Sequence, residues 1–177
     1  ALEKVGIDVV RMGSRFRISP QTWHLGIYAR MEHHPQQPAV RTLEKEIRTA
    51  QGAEKAKLVR EKRALLRSMK QNIIDSAPVI ASTLSSMAKD APDLQPSHVA
   101  IIDEASQATD PAIWSIVPYT QKILLVGDPY QLGPVVLSHN ARLQTTMLKQ
   151  KMRAQKCPML NIQHRMNERI MQLVRPI

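Results

Sequence analysis

Three short apolar segments, each followed at once by a polar or acidic cluster, constrain the fold of this chain more than any other feature. They are PVIAST (78–83), VAIID (99–103) and KILLVGD (122–128). Between the last two lies a predicted helix with Pro111 in its first turn and Thr109 or Asp110 as its N-cap. Apolar strands that alternate with helices are typical of a parallel α/β sheet covered on both faces. Functional groups in such sheets gather beyond the carboxyl ends of the strands, where all three polar clusters lie.

Two carboxylates, Asp103 and Glu104, stand directly after the second apolar segment. Burying two carboxylates beside an apolar sheet costs several kcal/mol unless a cation or a catalytic task compensates. An Asp that holds Mg²⁺ and a Glu that polarises a water molecule are the pair that a nucleotide hydrolase needs at this position. The pair alone is a weak signal, and a cap or turn pair is the alternative interpretation. The hydrolase interpretation is favoured because two further clusters follow: LLVGDPYQLGPV with Gln131, and LNIQHRM with Arg165.

The segment from Val40 to Ile74 differs sharply from the rest of the chain. It carries ten Lys or Arg and four Glu, with no Pro and no aromatic residue, so it holds +6 of the chain's net charge of +10. Apolar residues at helical spacing, interrupted at Gly52, predict an antiparallel helix pair or one long broken helix. A face toward a phosphate backbone and a solvated helix surface are the two interpretations of this charge. For the first, we expect contacts from Lys55, Arg60 and Arg63.

The remaining composition excludes several classes of protein. No apolar run approaches the roughly 18 residues of a membrane span. Cys157 is the single cysteine, which excludes a disulfide framework and a cysteine-based zinc site. A lone cysteine fits a reducing compartment, so we expect a cytoplasmic or nuclear protein. Because the chain starts at Ala1 in mid-pattern, we also expect it to be a segment of a longer protein.

Motifs across most of the chain resemble those of one helicase family. IIDEASQATDP, LLVGDPYQLGPVV and LNIQHRM look like motifs II, III and IV of superfamily 1 helicases. The likeness is closest to the group that contains the up-frameshift RNA helicase and the immunoglobulin mu-binding helicase. VVRMGSRFR and APVIASTLSS are similar to that group too.

The resemblance implies an α/β fold that is part of a RecA-like P-loop NTPase domain with a parallel sheet. The first RecA-like domain would cover 1–38 and 76–156, with the basic helical segment 39–75 inserted into it. A second RecA-like domain would start within 157–177.

The resemblance also implies roles in ATP hydrolysis for residues of motifs II and III. Asp103 would coordinate the Mg²⁺ of MgATP, and Glu104 would be the catalytic base. Gln131 would sense the γ-phosphate, with Asp128 beside it in the nucleotide site. Since the motif II and motif III strands are parallel neighbours in this family, Ala100–Ile102 should pair with Ile123–Val126. The four side chains would then lie at one sheet edge, and the outer edge of the motif III strand would be unpaired.

Further roles that the resemblance implies fall outside these two motifs. Arg165 would reach across the cleft to the phosphates and stabilise the transition state. His164 stands where the family usually has a Tyr that stacks near the adenine, so it joins the nucleotide-binding residues. Ser82 and Thr83 fit the motif whose hydroxyls and amides hold the nucleic-acid backbone.

One family element is missing from the sequence. The phosphate-binding loop GxxxxGK[ST] occurs nowhere in the 177 residues. We therefore expect part of a helicase that uses ATP and Mg²⁺, acts on RNA or DNA in single-stranded form and is inactive as an isolated chain. The alternative is a catalytically inactive module that kept the helicase fold for nucleic-acid binding. Complete motif II and Gln131 favour the enzyme.

Overall fold

The computed structural model describes residues 2–15, 18–90, 94–138 and 141–174. Four β-strands lie within these ranges: β1 (Val9–Arg11), β2 (Val79–Ala81), β3 (Ser97–Ile102) and β4 (Thr120–Leu125). The α-helices of the same ranges are α1 (Ile27–Glu32), α2 (Gln37–Thr49), α3 (Gly52–Ser76), α4 (Leu84–Asp90), α5 (Asp110–Trp114), α6 (Met147–Ala154) and α7 (Glu168–Val174). Short 3₁₀ turns occur at Leu2–Val5, Pro20–Leu25, Val117–Tyr119 and Ala141–Gln144. Throughout the described part of the chain, every helix is too short or too polar to cross a membrane.

The pairing of the motif II and motif III strands is confirmed. β3 and β4 are parallel neighbours, with Ala100 opposite Ile123 and Ile102 opposite Leu125. The ladder continues past the strands, because Val126 N donates to Ile102 O at 2.9 Å and Ala105 N donates to Val126 O at 2.8 Å. Among the described strands, β4 has β3 as its one neighbour, so its outer edge is unpaired as expected.

The prediction of one sheet covered on both faces is wrong for the described residues. Among the described strands, β1 pairs with β2 alone, in register from Val9 opposite Val79, and Arg11 adds an isolated parallel bridge to Gly26; this pair forms a ladder separate from β3 and β4. On one face of the second pair, side chains of both strands pack against the buried Ile113 of α5 and Leu148 of α6. The other face has no cover within the described ranges. The exposed fractions there are 49% for Val99, 67% for Ile101, 52% for Leu124 and 37% for Val126.

The predicted helix pair is confirmed as α2 and α3. The break falls at Gly52, whose φ of +55° lies in the left-handed region that glycine adopts without steric cost. Early residues of α2 face late residues of α3, and Lys62 Nζ lies 2.9 Å from Glu44 Oε1 across the pair. This cation holds the pKa of Glu44 below its ordinary value. The placement of the pair as an insertion in a RecA-like domain stays a prediction, as do all the predicted domain boundaries.

The segment around LNIQHRM forms neither strand nor helix. It runs as irregular chain from the end of α6 to α7, and its apolar residues Met159, Leu160 and Ile162 are exposed. No described strand lies beside it to pair with its backbone.

Candidate active site

The turn after β3 carries Asp103, the predicted metal ligand, and Glu104, the predicted catalytic base, and both are exposed. Asp103 Oδ1 accepts a hydrogen bond from Glu104 N at 3.0 Å. Glu104 O accepts from Gln107 N at 2.9 Å, and Glu104 Oε2 accepts from Gln107 Nε2 at 3.4 Å. Because both acids reach solvent, the burial penalty inferred from the sequence does not apply here. They are available to a ligand instead.

The backbone of Glu104 adopts an unfavourable conformation. Its φ is +53°, and it is the one residue other than glycine with a positive φ among those described. A side chain in this region costs of order 1 kcal/mol and persists only where neighbours hold it. Here Ala105 supplies one constraint through its hydrogen bond to Val126, and Gln107 supplies another. The conformation fixes the direction in which the Cα–Cβ bond of Glu104 leaves the turn.

The turn after β4 holds Asp128 and Gln131 together. Asp128 Oδ1 accepts from Tyr130 N at 2.9 Å, and Asp128 Oδ2 accepts from Gln131 Nε2 at 3.3 Å. Gln131 N also donates to Asp128 O at 3.2 Å. Asp128 therefore orients the amide group of Gln131, a relation that the sequence motif did not indicate.

Gly127 brings the two turns into contact. A Cβ atom at this position would lie 3.1 Å from Ala105 N, Ser106 N and Leu148 Cδ2. The chain leaving β4 thus passes directly against the chain leaving β3. All four predicted residues of motifs II and III emerge at the same end of one parallel strand pair, as the sequence predicts. A glycine at the end of an apolar run was the signal for this approach.

The side chains at this edge suit Mg²⁺, which needs few protein ligands, better than a metal ion that protein side chains alone enclose. Within the described residues, no three His, Cys, Asp or Glu side chains gather as a metal cage. Mg²⁺ is commonly bound through one or two carboxylates, with waters and substrate phosphates completing the octahedron. Asp103 offers such a carboxylate. It is exposed, and its Oδ1 accepts a hydrogen bond from the backbone N–H of Glu104.

His164 and Arg165 are not brought to this edge by any hydrogen bond or ion pair in the described ranges. Arg165 N donates to Gln163 Oε1 at 3.0 Å, and both predicted side chains are exposed. Their roles in the nucleotide site stay predictions.

A second polar cluster lies at the carboxyl ends of β1 and β2. Ser82 and Thr83 line a cavity of about 310 Å³ there, together with Arg11, Ser86 and backbone around Gly13. Thr83 Oγ1 lies 3.2 Å from Ser86 Oγ. Arg11 Nη1 donates to Thr22 Oγ1 at 3.2 Å. Sequence reasoning missed Arg11, although its place at the end of the apolar run VVR is the same signal that marked Asp103.

The three cations predicted to contact nucleic acid all lie on α3. Lys55, Arg60 and Arg63 are exposed. Arg60 Nε donates to Ala56 O one helical turn earlier, at 3.3 Å.

Comparison with known proteins identifies relatives over most of the chain. A family model described as an AAA domain matches residues 30–139. An uncharacterised ATP-dependent helicase of Methanocaldococcus jannaschii is 35% identical over 56% of this chain and 15% of its own length. DNA polymerase alpha-associated DNA helicase A of Schizosaccharomyces pombe is 28% identical over 96% of this chain and 28% of its own. Regulator of nonsense transcripts 1 of Caenorhabditis elegans is 30% identical over 80% and 13%. The chain thus spans less than a third of the length of these relatives.

Proposed function

Since this chain belongs to the AAA-domain family, within the up-frameshift-like group of superfamily 1 helicases, we propose that it is part of an ATP-dependent helicase. The full-length protein would couple ATP hydrolysis to movement along RNA or DNA and to unwinding. The observation that carries this proposal is the parallel pairing of β3 with β4. Because of this pairing, two carboxylates and an amide lie beyond the carboxyl ends of neighbouring strands. Such an arrangement suits in-line attack of water on a phosphate.

Glu104 is the proposed catalytic base and Asp103 the proposed metal ligand. When bound, the ion would supply positive charge that stabilises the negative charge developing on the phosphates. Asp103 would hold that ion while its second contact, to Glu104 N, keeps the turn closed. Glu104 would take the proton of the attacking water, and its left-handed backbone sets the direction in which the side chain leaves the main chain.

Gln131 is the proposed γ-phosphate sensor. Its amide is oriented by Asp128, and the Gly127 contact joins this turn to the one that carries Glu104. Arg165 is proposed as the cation that reaches the phosphates from a second RecA-like domain, with His164 beside the adenine. These two assignments rest on the motif resemblance.

Nucleic acid is the proposed partner of two surfaces. Ser82 and Thr83 would bind backbone phosphate beside Arg11, since hydroxyls and a guanidinium are common phosphate ligands. Lys55, Arg60 and Arg63 on α3 would add the sequence-independent attraction of a basic surface. We propose a single strand of RNA or DNA as the ligand, in the cytoplasm or nucleus.

The 177-residue chain alone would not turn over ATP, because it contains no GxxxxGK[ST] loop to cradle the phosphates. The experiment therefore uses the full-length gene product. Glu104→Gln should slow nucleic-acid-stimulated ATP hydrolysis by at least ~10²-fold, the usual scale for loss of a general base. MgATP binding should remain near that of the unmodified protein, because the substitution is isosteric.

Glu46→Gln is the matched control, since Glu46 is an exposed residue of α2, far along the chain from the site. It should leave turnover unchanged. Near-normal hydrolysis by the Glu104 variant would remove that residue from its role. A full-length protein that binds nucleic acid without hydrolysing ATP would support the alternative, a binding module that retains the fold.

A further inference from the structure

A polar contact joins the helix that follows motif III to the end of the motif II turn. Gln150 Nε2, on α6, donates to Asp110 Oδ2 at 2.8 Å, although the two residues are 40 positions apart. Asp110 is the first residue of α5 and lies a few residues after the turn that carries Glu104. The N-cap of α5 is Thr109, so the capping role offered for Asp110 by the sequence falls to its neighbour, and the family comparison assigns no role to Asp110 or Gln150.

The carboxylate of Asp110 depends on this contact. Its other oxygen, Oδ1, is buried and has no hydrogen-bond partner within the described residues. The bond itself lies at the surface, so removing Gln150 would take away the hydrogen bond of Oδ2 to the protein, while the buried Oδ1 would stay unpaired. Gln150 therefore ties the start of α5 to α6.

The other end of the same turn is held by the β4 side of the site. Ala105 N donates to Val126 O, and Gly127 packs against Ala105 N and Ser106 N. Leu148, two residues before Gln150, is buried beside Ala105 and Ile113. α6 thus contacts the segment between β3 and α5 twice. Leu148 packs beside Ala105 near the start of the segment, and Gln150 bonds to Asp110 at its end.

We infer that Gln150 is a positioning residue, acting through Asp110 to hold Glu104 in its left-handed conformation. This inference rests on the proposed function, because it concerns the efficiency of the base that the function requires.

Isosteric variants of the full-length protein test it with little risk to folding. Gln150→Glu places two carboxylates together and should lower kcat about five- to tenfold, with KM for ATP within twofold, as expected for a coupling of modest size. Adding Asp110→Asn restores a hydrogen bond in the reverse direction, because Asn donates and Glu accepts, and should return kcat to within about twofold of normal. Gln155→Glu, the same change at an exposed residue at the end of α6, is the matched control and should have no effect.

Amide hydrogen exchange separates this inference from the proposed function. In Gln150→Glu, exchange at Ala105–Ala108 should quicken at least about threefold, and the double variant should reverse it. Unchanged exchange, or a double variant no better than Gln150→Glu, would overturn the inference whatever the ATPase activity. An unmodified protein without ATPase activity would overturn the proposed function, while altered exchange in the variant would still support the positioning contact.

Discussion

Replacing Gly127 with Ala should destabilise the contact between the two catalytic turns. The added Cβ would lie 3.1 Å from two backbone nitrogens, Ala105 N and Ser106 N, and from Leu148 Cδ2. The leucine methyl can move, but the nitrogens cannot move freely, because Ala105 N is hydrogen-bonded to Val126 O at 2.8 Å. Forcing an extra methyl into such a contact costs about 1–3 kcal/mol in the free energy of unfolding. Urea denaturation of the full-length protein measures this cost, as the change in free energy for the transition that occurs at the lowest urea concentration.

Gly133 provides a matched control in the same motif. Among the described residues, a Cβ there meets only Gln144 O, at 4.0 Å, so Gly133→Ala should be neutral or stabilise slightly, by up to about 1 kcal/mol, through the unfolded state. The Gly127 variant should also hydrolyse ATP more slowly, since the strain falls on the turn of Glu104. Equal unfolding midpoints for the two variants would refute the close approach of the turns.

Two further predictions concern charge. Replacing the exposed cations of α3 with Ala should weaken nucleic-acid binding and reduce the log–log salt slope by about 0.7 for each phosphate of a single strand that these cations neutralise; an unchanged slope would indicate a solvated helix surface. The residues to replace are Lys55, Lys57, Arg60 and Arg63. The Arg30 guanidinium lowers the pKa of Asp8 through a hydrogen bond, with Nη1 2.9 Å from Oδ2. A lowered pKa stabilises the fold above the ordinary Asp value near about 3.9, and this contribution disappears as pH falls through the lowered pKa. The free energy of unfolding, measured by urea denaturation from about pH 5 to about pH 2, should thus fall less steeply with decreasing pH in Asp8→Asn than in the unmodified protein. The difference should be under about 1 kcal/mol because the pair is partly exposed. An identical pH dependence in the two proteins would contradict the ion pair's contribution.

The strand pairing could be predicted because two apolar runs that end in polar clusters leave few alternatives in a parallel α/β arrangement. Coverage of the strands could not. A continuous apolar run shows that both faces avoid water, but Ile101 and Leu124 have nothing over them in the described part of the chain. Which elements cover a strand depends on other segments of the protein, and the sequence of the strand does not specify them.

Within the candidate site, the sequence indicated the residues proposed to carry the chemistry, but it did not indicate the contacts that orient them. Asp103 and Glu104 follow from composition at a strand end. The contact of Gln150 with Asp110 spans 40 residues and joins two surface-type residues, so no local pattern indicates it. The positive φ of Glu104 was equally hidden, because glutamate, unlike glycine or asparagine, has no preference for the left-handed region.

That φ also bears on how this sequence can diverge. At position 104 the backbone favours Gly or Asn, so the fold alone would select against glutamate. The proposed role of its carboxylate in hydrolysis would account for glutamate at this position. In a lineage released from hydrolysis, this position should be among the first of the motif to change, and the change should make the fold more stable. A related sequence with Gly or Asn at this position and the same strand pair would therefore indicate a protein that kept the fold and lost hydrolysis. Overall sequence similarity does not distinguish such a protein from an active one.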